Sequence, residues 1–116
     1  MYEKGSLQLT ENGFKFIVKN NLANGNVIEV YPLSINENHI PFENITVSND
    51  SQSMKATEIS PENPIALKKG VNTVFQCEFM DAVSLKDHEV KVDFKFKVQV
   101  RDSKMKIDFD FKDTLT

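Results

Sequence analysis

The chain has 116 residues and a mass of 13.2 kDa, enough to bury roughly two thirds of its unfolded surface in a core that needs no staples. Hydrophobic residues make up 40% and charged residues 27%, and no apolar run approaches the roughly 18 residues of a membrane-spanning helix. A net charge of -3 with a pI near 5.4 argues against a broadly basic surface for phosphate backbones or anionic lipid, and the single Cys77 excludes an internal disulfide and a multi-cysteine metal site.

Alternation with period two dominates from one end to the other, and nowhere do apolar residues recur at helical spacing over three turns. Leu7 and Leu9 predict a short first strand ending at the turn signal Glu11-Asn12-Gly13, and Phe14, Phe16 and Val18 predict its hairpin partner, closed by Asn20-Asn21 and Asn24-Gly25-Asn26. A third strand spans Val27 to Ile35. Its inward set changes parity between Ile28/Val30 and Leu33/Ile35, which places a bulge or bend at Tyr31-Pro32, where proline cannot donate to a ladder.

From Asn36 to Glu43 the sequence reads as a polar loop. Ile45 and Val47 make a brief strand, Ser48 to Ser53 a turn, and Met54 to Ile59 another short strand before the Pro61/Pro64 connection. Ile65 to Gly70 steps into a turn, after which Val71, Thr73, Phe75, Cys77 and Phe79 predict a central strand. Met80 to Asp87 is the one place for a helical turn.

The strongest signal is a long hairpin, about 88–101 and 104–112. Val90, Val92, Phe94, Phe96, Val98 and Val100 line one face of its first arm, and Met105, Ile107, Phe109 and Phe111 line one face of the second. Setting residue 101 against 104 pairs Val100 with Met105, Val98 with Ile107, Phe96 with Phe109 and Phe94 with Phe111. It also sets Lys97 against Asp108, Lys95 against Asp110 and Asp93 against Lys112, each pair worth a few tenths to about 1 kcal/mol. A slip of one residue would turn apolar side chains onto the charged face.

About seven or eight such strands, with one amphipathic face each and no crossover helix, predict an all-β fold: an antiparallel two-sheet β-sandwich of immunoglobulin-like type, residues 1–116 forming one domain. A closed barrel is the alternative, disfavoured by the unequal strand lengths.

Chemistry-bearing residues are few. A blue-copper centre needs two histidines, a cysteine and a weak axial methionine in close order. His88 lies eleven residues after Cys77 with Met80 between, and His39 sits in a polar loop, so copper is not expected. Cys77, between Phe75 and Phe79 on an inward face, reads as a buried small hydrophobe, and apolar burial makes it a poor nucleophile. Asp108 and Asp110 share one face of a strand opposite lysines and read as salt-bridge partners, not as a general acid and base. Asn36, Glu37, Asn38, Asn49 and Asp50 offer oxygens for a calcium cage, although turn formation explains the same residues.

Nucleic acid is not expected either. Residues 1–85 carry six positive and ten negative groups, and 86–116 carry eight and seven, interleaved, with the aromatics inward. The expectation is therefore no enzyme, no cofactor and no metal site. The sequons at Asn44 and Asn49 matter only if the chain is exported, and Met1 to Asn12 shows no basic start and apolar stretch of a signal peptide. Export or cell-surface location is expected if the chain is excised from a larger exported protein, and cytoplasmic location otherwise.

Phe16-Ile17-Val18-Lys19-Asn20-Asn21, followed by a strand, and Ile65-Ala66-Leu67-Lys68-Lys69-Gly70-Val71-Asn72-Thr73-Val74-Phe75 resemble the layout of prokaryotic immunoglobulin-like modules. In those a strand ending in Asn leads to a loop, and a lysine-glycine turn starts the strand that crosses the sandwich. The resemblance is to adhesion and cell-surface accessory modules, including the sandwich domains of archaeal surface filaments. It implies a non-catalytic structural or interaction module, with another protein bound by loops or by sheet edges, for which Ile45 to Val47 and Met54 to Ile59 are the candidate strands. The alternative is a carbohydrate- or calcium-binding module using the Asn-rich loops, with only Tyr2 and Tyr31, and no tryptophan, to stack on a sugar. Self-association through an open edge is compatible with the same pattern.

Overall fold

A computed structural model describes residues 1–21 and 23–116 as eleven strands: β1 Gln8–Leu9, β2 Gly13–Lys19, β3 Gly25–Val30, β4 Leu33–Ile35, β5 Asn38–Ile40, β6 Ile45–Ser48, β7 Ser53–Lys55, β8 Ile65–Leu67, β9 Asn72–Glu78, β10 Glu89–Val100 and β11 Ser103–Thr114. Short 3-10 turns occupy Phe42–Asn44, Ala56–Glu58 and Met80–Leu85, the last where the sequence predicts its one helical turn. Every ladder between strands is antiparallel. One sheet runs β1-β2-β9-β6-β7. In the other, β3 and β4 lie end to end along one side of β10, with β8 and β5 beyond them, and β11 takes the opposite side of β10.

Why these residues pack this way follows from the alternation. Phe14, Phe16 and Val18 of β2 and Thr73, Phe75 and Cys77 of β9 are buried, as are Val90, Val92, Phe94, Phe96 and Val98 of β10, so the two inner faces meet as a β-sandwich. Phe16 stacks on Phe75 at 5.5 Å within one sheet, and both rings touch Phe94 of the other at about 5 Å. Offset and tilted ring pairs of this kind add about 0.5–1.5 kcal/mol each beyond area burial.

Two glycines, one for a close approach and one for its backbone conformation, set the starts of β2 and β9. A Cβ on Gly13 would sit 1.9 Å from the Cys77 carbonyl oxygen, so only glycine lets β2 start this close to β9. Gly70 holds a φ of 79° at the turn into β9, the left-handed region that glycine enters without cost.

The strand count exceeds the expectation for two reasons. The third strand breaks at Tyr31-Pro32 as expected, but a bulge also lies at Ile28, where Lys97 pairs with Glu29 and Val98 already pairs with Val27. Val27 and Val30 therefore both join the core cluster, a parity not read from Ile28 and Val30. The segment that reads as a polar loop contains β5. Asn36 and Glu37, at φ 47° and 69°, make a two-residue turn that folds Ile40 back into the core opposite Leu33, the geometry favoured in tight hairpins.

The long hairpin forms, in a different register. Val98 faces Met105, Phe96 faces Ile107, Phe94 faces Phe109 and Val92 faces Phe111, and the loop is Arg101-Asp102. Relative to the expected pairing β11 has slid by two residues, which keeps every side chain on its own face. The slide sets Lys97 against Lys106, Asp93 against Asp110 and Lys91 against Lys112, leaving only Lys95–Asp108 complementary in direct opposition.

What wins is the far end of β11. Phe111 stacks on Tyr2 at 3.6 Å and meets Phe16 edge-on, Asp113 accepts hydrogen bonds from the Tyr2 hydroxyl at 2.6 Å and the Gly5 amide at 2.7 Å, and Leu115 is fully buried. Exposed charge pairs worth a few tenths of a kcal/mol each cannot outweigh that burial, and Lys91 recovers part of the loss by reaching diagonally to Asp110 at 3.5 Å.

Candidate functional site

The sequence candidates scatter. Cys77 lies in the middle of β9, 1% exposed, and its burial pushes the thiol well above its ordinary range, so at neutral pH it is a protonated, sealed side chain. His39 is exposed on β5, facing Ser34, at an edge of the second sheet, while His88 is exposed in the turn before β10. Asp108 and Asp110 project from the outer face of β11, the first opposite Lys95 and the second paired with Lys91.

The asparagines considered for calcium make hydrogen bonds within turns and between segments. Asn36 Oδ1 accepts the Lys91 amide, Asn38 Nδ2 donates to the Ile35 carbonyl, and Asn49 Oδ1 accepts the amides of Ser51 and Gln52 while its Nδ2 donates to Ala66. Among the described residues no group of three His, Cys, Asp or Glu side chains comes together to hold a metal. Ile45 to Val47, expected at an edge, lies in β6, which β9 and β7 flank on both sides. The shorter β7, containing Met54, is the edge, and Ala56 to Glu58 leaves the sheet as a 3-10 turn.

One concave feature escaped the sequence reading. A cleft of about 360 Å³ opens between the β1–β2 turn and the 3-10 turn after β9, lined by Leu9, Thr10, Glu11, Gly13, Glu78, Phe79, Met80 and Val83 among others. Met80 and Val83 stand 91% and 67% exposed on its wall, and the buried Thr10 hydroxyl has no hydrogen-bond partner among the described residues. Its ionisable lining is carboxylate, from Glu11 and Glu78. The exposed pair Met80 and Val83, placed beside a helical turn, was its only trace in the sequence.

A second cluster joins the chain's distant parts. Tyr2 and Asp113 are 111 positions apart. Partial burial together with the hydrogen bond to Asp113 pushes the Tyr2 phenol up to about 12. On the Asp113 carboxyl, desolvation acts upward but is outweighed by hydrogen bonds from Tyr2, Gly5 and Thr114, so it lies below its usual range. This cluster ties β11 to the N-terminal segment and carries no reacting group.

Comparison with protein families decides the assignment that geometry leaves open. Residues 1–116 match the family model described as hydroxymethylglutaryl-CoA reductase, N-terminal domain. The chain belongs to that family. A search of curated proteins finds no match. Membership in the reductase N-terminal domain family corrects the resemblance to immunoglobulin-like adhesion and filament modules, and with it the cell-surface, prokaryotic and carbohydrate- or calcium-binding readings. The quoted residues do occupy the expected places, Lys68-Lys69-Gly70 leading into central β9. Any antiparallel sandwich needs such a turn before a middle strand, so the pattern reported architecture and not ancestry.

Proposed function

We propose that residues 1–116 act as one unit serving a hydroxymethylglutaryl-CoA reductase as a non-catalytic accessory domain, contributing no group to the reduction itself. The observation that carries this reading is the family match along the whole chain. The placement of the reactive residues supports it. The one thiol, Cys77, is sealed between phenylalanines, out of the hydrogen-bond reach that a catalytic group needs to its substrate.

Electrostatics points the same way. Hydroxymethylglutaryl-CoA is a polyanion, and the cleft beside Met80 presents it with Glu11 and Glu78 and no cation. Like charges repel such a ligand where a cofactor or thioester site would supply donors and positive charge.

The test has two arms. The purified chain, given hydroxymethylglutaryl-CoA and a reduced nicotinamide as hydride source, is expected to show neither turnover nor binding heat. Turnover by the purified chain would overturn the proposal. In a reductase polypeptide that carries this domain, deleting it should change the rate of reduction less than about threefold while lowering the temperature of inactivation. A loss of several hundredfold in the chemical step, with the remainder still folded, would mean that the domain supplies a reacting group.

A further inference from the structure

The second sheet ends in a long open edge, and its chemistry identifies what fits it. β11 pairs with β10 along its whole length, and among the described residues no backbone group from Lys104 to Lys112 bonds to anything on the other side. The direction of those free groups follows from the other side of β10. The carbonyls of Lys91 and Lys95 accept from Asn36 and Tyr31, so odd-numbered residues of β10 face β3 and β4 and even-numbered ones face β11. In an antiparallel ladder the partners of the even-numbered set, Met105, Ile107, Phe109 and Phe111, then bond inward to β10. Lys104, Lys106, Asp108, Asp110 and Lys112 therefore present their N–H and C=O groups outward.

This edge carries charged side chains, one of the usual protections, but lacks others. It carries no proline and no bulge, and it is 12 residues long, well above the ordinary strand, where edges are commonly kept short or interrupted. Its inner face is also short of cover: Met105 is 49% exposed, and Ile107 and Phe109 are only partly buried.

We propose that β11 is a self-pairing edge, and that two copies of this chain join antiparallel through it about a two-fold axis at Ile107. Charge complementarity selects both the partner and the register. With Ile107 on the axis, Lys106 faces Asp108 of the second copy and Lys104 faces Asp110, each pair occurring twice, with no like-charged pair. On the inner face Met105 faces Phe109 and Ile107 faces itself, in the closely spaced non-bonded positions of the ladder.

The neighbouring registers fail. An axis at Lys106 or Asp108 sets a like charge against itself, an axis at Met105 sets Lys104 against Lys106, and an axis at Phe109 sets Asp108 against Asp110. The alternation that places like charges in direct opposition within the hairpin places opposite charges together across the axis. About eight main-chain hydrogen bonds form between the copies, and the exposed apolar row of one continues into that of the other. The inference rests on the free edge alone and stands or falls separately from the reductase reading.

Sedimentation of the 116-residue chain over a concentration series is expected to show a reversible dimer. Lys106→Asp sets one carboxylate against another, that of Asp108, across the axis at two symmetric places, and should raise the dissociation constant about tenfold or more. The fold should hold, because within the hairpin Lys106 is exposed and faces Lys97. Adding Asp108→Lys restores complementarity across the axis, and should return dimerisation toward the wild-type level.

Ile107→Cys puts two thiols on the axis within disulfide reach, and under mild oxidation should cross-link far faster than Met105→Cys; buried Cys77 does not compete. A chain monomeric at every concentration, or Ile107→Cys and Met105→Cys cross-linking at equal rates, overturns the proposal. So does a dimer indifferent to Lys106→Asp whose cross-link maps elsewhere.

Discussion

β10 and β11 are written in nearly the same pattern, yet they live in different surroundings. β10 is paired on both sides and its five inner residues from Val90 to Val98 are at most 3% exposed. β11 repeats the alternation with Met105, Ile107, Phe109 and Phe111, but is paired on one side only and covered in part. Alternation reports which face looks inward. How much lies over that face, and what lies beside the strand, depend on where the strand falls in the sheet.

The difference is measurable as the cost of removing one ring from each strand. Phe96→Ala should cost about 3–5 kcal/mol in unfolding free energy, because the surrounding core closes incompletely over the cavity. Phe109→Ala, from a ring that is only partly buried, should cost about 1–2 kcal/mol. Equal losses in chemical denaturation would mean that β11 is as deeply covered as β10.

The anchor at the end of β11 comes next. Asp113→Asn should lower stability by about 1 kcal/mol near neutral pH, since a charged acceptor of hydrogen bonds from Tyr2 and Gly5 is lost at a partly exposed site. The pH dependence has a definite sign. The Asp113 carboxyl is depressed in the folded chain, so its contribution is present above about pH 4, the unfolded value, and is lost as pH falls through the folded one. The Tyr2 phenol is raised to about 12, so its contribution is full below about pH 10 and lost as pH rises toward 12. The gap between wild type and Asp113→Asn should therefore be widest from about pH 5 to 9 and narrow on either side. A gap that stays constant down to pH 2 would show that the carboxylate is not what holds the anchor.

The smallest effect belongs to the turn between the two strands. Arg101 sits at φ 56°, and Arg101→Gly should raise stability by about 0.5–1 kcal/mol by relieving that conformation. No gain in thermal unfolding would show that the turn carries no strain to relieve.

Much of the sandwich was legible in the sequence. Inward Phe14, Phe16, Phe75, Cys77 and Phe96, the break at Tyr31-Pro32 and the helical turn after β9 all follow from periodicity and turn chemistry. The hairpin register was not, because a two-residue slide leaves both faces intact and periodicity cannot see it. The deciding contacts join Tyr2, Gly5 and Leu7 to residues 111–116, positions that sequence reading treats as two unrelated ends. Apolar Leu115, isolated behind Asp113-Thr114, was the one visible hint that the end is buried.

β5 was missed for a local reason: its turn needs two left-handed residues, and Asn36-Glu37 is a poor advertisement for them beside Asn-Gly. Among candidate site residues, the sealed state of Cys77 and the turn roles of Asn36 and Asn49 were readable. The cleft at Met80 was not, since its walls come from segments about 70 residues apart. Family membership lies in the ensemble of positions along residues 1–116, not in any short motif that chemistry makes conspicuous.

The hydrogen bonds that join Leu7 and Leu9 to Thr116 also order events during synthesis. β1 leaves the ribosome long before Thr116 does, so the end of the sandwich that these bonds close stays open while the residues between them are being made. Until then the inner row of β2, with Phe14 and Phe16, lacks part of its cover, and the nascent chain presents those rings to whatever meets it at the tunnel exit.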